Sequence, residues 1–72
     1  MISFKFTQDQ KTNFTPSEKI FQYAKKNNLN CYRTQFGRQV LEVAGNDYTY
    51  NYYTITPNND NTETVEIFLA LF

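Results

Sequence analysis

The side chains best equipped for contact chemistry are the tyrosines Tyr48, Tyr50, Tyr52 and Tyr53, four phenols within six positions. Such rings are large, rigid and amphipathic, which suits a protein-contacting surface or a platform on which unpaired bases stack. Phosphate contacts for the second of these would come from Lys19, Lys26, Arg33 and Arg38, and such binding would weaken steeply with salt. Bond-making chemistry has thinner support. Cys31 is the only cysteine and the chain has no His to activate it, so a small strand residue is the simpler reading of a thiol there. The carboxylates beyond position 40 are Glu42, Asp47, Asp60, Glu63 and Glu66, and their spacing forces no acid–base pair together. Residues 58–63 are rich in oxygen but lack the alternating ligands and the sixth-position Gly of a calcium loop. We therefore expect no catalytic residue, no metal site, no cofactor and no enzymatic activity.

Composition narrows the setting. A chain of 72 residues is one domain, near the small end of what folds without staples. One cysteine allows no internal disulfide, no apolar run is long enough to span a bilayer, and the early Lys5, Asp9 and Lys11 interrupt any secretory leader. A small cytoplasmic protein with no membrane partner is expected. Thirteen of its twenty-nine apolar residues are Phe or Tyr, so the core should be largely aromatic. The abundance of Asn, Lys, Ile, Phe and Tyr suggests an AT-rich source such as a phage or mobile element.

Net charge is zero, yet all seven basic residues lie in the first forty, against Asp9 and Glu18 alone. The remaining thirty-two carry five acids and no base. Either folding interleaves the halves and pairs these charges, or the asymmetry marks an oriented partner surface.

Five strands and one helix must position these groups. Ile2, Phe4 and Phe6 alternate with Ser3, Lys5 and Thr7, the period of a half-buried strand. Thr15, Pro16 and Glu18 spell an N-cap, a first-turn proline and a capping-box acid, which predicts a helix from Pro16 to about Lys26. Its apolar stripe is Ile20, Phe21 and Ala24. Gly37-Arg38 and Gly45-Asn46 read as two-residue type II′ hairpin turns. They place Arg33 opposite Glu42, Tyr32 opposite Val43, and Leu41 opposite Tyr50, which gathers Tyr32, Phe36, Leu41, Val43, Tyr48 and Tyr50 on one face. A polar turn then leads into a final strand whose end, residues 67–72, is apolar on both faces.

The fold class expected is α+β: a single helix packed on a mostly antiparallel sheet of about five strands, order β-α-β-β-β-β, with the first strand beside the last. One helix covers one face. Apolar surface around Tyr52, Tyr53, Val40, Phe68 and Phe72 should therefore lack an intrachain cover. The function expected is a protein-binding module, such as a small inhibitor or adaptor, with a homodimer as its simplest form. Nucleic-acid binding through the basic first half, or a structural role in an assembly, are the alternatives.

Overall fold

The computed structural model describes residues 1–72. Its elements are β1 (Ile2–Asp9), α1 (Pro16–Lys26), β2 (Asn30–Arg33), β3 (Gln39–Val43), β4 (Asn46–Pro57) and β5 (Thr62–Leu71). The strands form one sheet in the order β1-β5-β4-β3-β2, and every neighbouring pair is antiparallel. The fold is α+β. β1 does lie against β5, with Phe4 opposite Ile67 and Phe6 opposite Val65. Helix α1 carries the chain from one edge of the sheet to the other. No helix is long and apolar enough to cross a membrane.

The helix begins as the sequence indicates but without its side-chain cap. Thr15 is extended and its carbonyl accepts the Lys19 N–H at 3.2 Å, yet its hydroxyl makes no capping bond. The C-terminal end is more completely closed. Asn28 takes a positive φ of 56°, and Leu29 N–H donates to Ala24 O at 2.8 Å, the six-to-one bond that ends a helix through a left-handed residue. Asn27 Nδ2 adds a bond to Tyr23 O. Lys25 and Lys26 sit in the last turn, where the helix dipole favours cations.

The helix buries Ile20 and Ala24 against Leu41, Val65, Ile67 and Leu69, with Phe4 at the margin. The fully buried layer is thus aliphatic, not aromatic as composition suggested. The rings form its rim: Phe6, Phe14, Tyr23 and Tyr48 are half-buried around it, and Phe4 stacks on Tyr23 at 4.0 Å between centroids. A small core has few wholly enclosed positions, and wide rings reach its boundary before they fill its centre. Phe21, expected in the apolar stripe, remains 38% exposed with the Arg33 guanidinium 5.5 Å above its ring.

Both hairpin registers differ from expectation. The first loop is Gln35-Phe36-Gly37, closed by Gly37 N–H to Thr34 O and Thr34 N–H to Arg38 O. Gly37 takes the last loop position, at φ 85°, instead of the first. This arrangement is a type I turn followed by a left-handed residue. Arg33 therefore faces Gln39, and Tyr32 faces Val40. A shift of three residues is odd, so Tyr32 moves to the face away from the helix and Arg33 to the helix side, where it bonds Ser17 Oγ at 2.8 Å. The second turn is Ala44-Gly45, with φ of 52° and 82°, the double left-handed pattern of a type I′ turn. It puts Leu41 opposite Tyr48. That two-residue shift is even, so Leu41, Val43, Tyr48 and Tyr50 keep their common face.

The expected charge pairing across the hairpins is absent. Glu42 lies between Asn30 and Asp47, and the hydrogen bonds of Arg33 go to Ser17 Oγ and Gly37 O.

Candidate functional site

β4 positions most of the candidate contact residues. Its first four residues pair with β3, which reaches only as far as Thr49, and of these Tyr48 and Thr49 also pair with β5. From there to Pro57 the strand pairs with β5 alone. The register slips between Tyr50 and Tyr52, so Asn51 is the extra residue of a bulge. The bulge settles where the rings go. Tyr50 lies with Leu69, and Tyr53 with Ile67, on the helix side; Tyr52 lies with Phe68 on the open side.

On the open side the Tyr52 and Phe68 rings stack at 4.5 Å and 12° between planes. Tyr52 is 45% exposed, and Phe68 beneath it is half-buried. Farther toward the other end, Phe72 is 58% exposed, with the Arg38 guanidinium 5.6 Å over its ring. Tyr32 donates its hydroxyl to Asp47 Oδ2 at 3.3 Å. Val40 stands apart from the other expected contact residues. It is fully buried between its strand neighbours Tyr32 and Thr49, so its side chain is not a contact surface. Tyr53 belongs to the opposite face, where Phe14 meets it edge-on at 4.8 Å. Tyr52, Phe68 and Phe72 thus share the uncovered face, and Tyr53 does not.

The four cations considered for phosphate binding divide into two groups. Arg33 and Arg38 border an open hollow of about 650 Å³ beside the start of the helix, together with Ser17, Gln39 and Tyr50. Lys19 and Lys26 border another, of about 360 Å³, between the helix and β1. Lys19 Nζ is 5.5 Å from the Phe6 ring centre there. The two hollows share no residue.

Three groups of the sheet titrate above their ordinary range. Burial pushes the Cys31 thiol up, and the Gln39 hydrogen bond and the Arg33 charge only partly oppose it, so it is a poor thiolate source. Tyr32 is raised by desolvation and by Asp47 and Glu42; Tyr50 is raised by desolvation and by Tyr53. No three His, Cys, Asp or Glu side chains gather in a way that could hold a metal ion.

Sequence reasoning missed the bare edge of β4. Residues 51–57 are all exposed, and positions 48–59 contain no charged residue. The one available signal was length: a strand of twelve residues beside one of five must overhang it. No protein family, curated protein or solved structure matches the chain.

Proposed function

We propose that this chain is a non-enzymatic protein-binding module that works through the overhanging half of β4 and the adjoining Tyr52–Phe68 stack. One observation carries the reading: an uncharged strand segment of seven residues, with Tyr52, Tyr53 and Ile55 each about two-fifths exposed, has no strand beside its outer edge. Sheets ordinarily protect such an edge with charge, Pro or a covering element, because its unpaired amides and carbonyls are a template for another chain. The other two edges fit that rule. β1 carries Lys5 and Asp9, and β2 is only four residues long and includes Arg33. Tyrosine adds contact area at low entropic cost. The phosphate-binding alternative draws less support, since its cations are split between separate hollows.

A photo-crosslinking amino acid in place of Tyr52 tests this reading, with the same probe at Lys25 as control. In extract of the native cell, a discrete protein adduct is expected from position 52 and none from position 25. Equal labelling at both, or none at 52, overturns the proposal.

A further inference from the structure

The backbone of the overhang has a definite hydrogen-bonding phase. Asn58 N–H donates to Thr62 O at 2.8 Å, which marks that pair as hydrogen-bonded. In an antiparallel ladder such pairs alternate. Thr56, Thr54 and Tyr52 therefore turn their backbone groups toward β5, opposite Thr64, Glu66 and Phe68. Tyr53 and Ile55 turn theirs outward. No loop or side-chain hydrogen bond reaches either outward residue: the backbone bonds outside the helix and strands involve neither. Pro57 has no N–H and closes the available edge at its far end.

We propose that this edge pairs antiparallel with the same edge of a second copy, Tyr53 opposite Ile55 of the partner and Thr54 opposite Thr54 on a twofold axis. The inference rests on the protein-binding reading and names its partner. Three features select the second copy and this register. Tyr53 and Ile55 are two positions apart, so the twofold makes each the hydrogen-bonded partner of the other, and all four outward N–H and C=O pairs are used. A slip of one residue along each strand loses this match: centring on Tyr53 leaves Ile55 against the bulged Asn51, and centring on Ile55 sets Tyr53 against the donorless Pro57. Charge also permits it. Like charges across a ladder are destabilising, and the uncharged stretch 48–59 presents none to its own copy. On each face the pairing would lay aromatic beside β-branched residues: Tyr53 beside Ile55, and Tyr52 beside Thr56. The contact is short, near the lower end of specific interfaces, so the dimer is a reversible one with micromolar dissociation.

Disulfide trapping reads the register directly. Thr54 would form a non-hydrogen-bonded pair on the axis, with Cα atoms about 4.5 Å apart, inside the span that a disulfide bridges. In a Cys31→Ser background, Thr54→Cys with a glutathione redox buffer is expected to give a covalent dimer, and Thr7→Cys on β1 is not. Light scattering of the unmodified chain should show a monomer–dimer equilibrium. Ile55→Pro removes an outward donor that the protomer does not use and should abolish dimerisation while leaving the circular dichroism spectrum intact. Thr54→Lys, which sets two cations on the axis, should do the same if the proline disturbs folding. A chain monomeric at hundreds of micromolar, a folded Ile55→Pro variant that still dimerises, or preferential trapping at Thr7 overturns the inference. In the first case an adduct to a different protein at position 52 leaves the protein-binding reading standing; no adduct removes both.

Discussion

Ile67 and Phe68 are adjacent in β5, yet they belong to two differently built halves of the molecule. Ile67 lies beneath the helix, fully buried with Ile20, Leu41 and Leu69. Phe68 points to the face that no helix covers, where the ring of Tyr52 stacks on it. The difference comes from reach. An eleven-residue helix is about 16 Å long, while a strand of twelve residues extends about 40 Å, and the molecule measures 39 Å along its longest axis. The helix can seal one face over part of its length. Everything beyond is held by strand pairing and ring-on-ring contact, and so remains open to association.

Substitution at the two neighbours is the strongest way to break that comparison. Ile67→Ala leaves a cavity in a fully enclosed site, and chemical denaturation should show a loss of about 2–5 kcal/mol, enough to threaten folding in so small a domain. Phe68→Ala removes one stacked ring from a half-covered face and should cost about 1–2 kcal/mol. Equal losses would mean that the open face is as much a core as the covered one. A smaller effect tests the hairpin that joins β3 to β4. Ala44 holds a left-handed φ of 52°, which costs a residue with a Cβ about 1 kcal/mol or more relative to Gly. Ala44→Gly should therefore raise stability by about 0.5–1 kcal/mol, read as a higher denaturation midpoint, without altering association through the far end of β4.

The smallest effect lies at the β4–β5 turn. Hydrogen bonds from the Thr62 hydroxyl and amide hold the Asp60 carboxyl below its ordinary range. A depressed folded-state value contributes stability above the ordinary aspartate range, and this is lost as pH falls through the folded value. The carboxyl is fully exposed, so the loss is slight. Asp60→Asn should lower stability slightly near neutrality, where the carboxylate contributes, and match the unmodified chain at the acid limit of about pH 2, which flattens the pH dependence measured by thermal melting.

The starts of β1 and α1 were legible because each rested on local chemistry. Alternating apolar residues define β1, and the Thr15-Pro16 step marks the start of α1. Long-range pairing was harder. Gly37 and Gly45 both lie in hairpin turns, but glycine serves a left-handed position at either end of a loop, so its presence did not say which end. The error at Gly45 was harmless to the faces because it displaced the strand by two. At Gly37 a displacement of three exchanged Tyr32 with Arg33. Among the candidate contact residues, Tyr52, Phe68 and Phe72 are accessible on the uncovered face. Val40 could not be placed from composition, since its burial depends on the strands either side. The unpaired stretch of β4 was missed because it follows from where β3 stops, and only the greater length of β4 hinted at it.

The swelling at Asn51 has a genetic corollary. Residues 50 and 52 already project to opposite sides, as consecutive residues of a regular strand do, so the intervening asparagine takes no place in the alternation. A codon lost there would leave every ring pointing as it does now. A codon lost one step later would also close the bulge and keep the faces of the strand, but it would set Asn51 opposite Phe68 and remove the stacked ring of Tyr52.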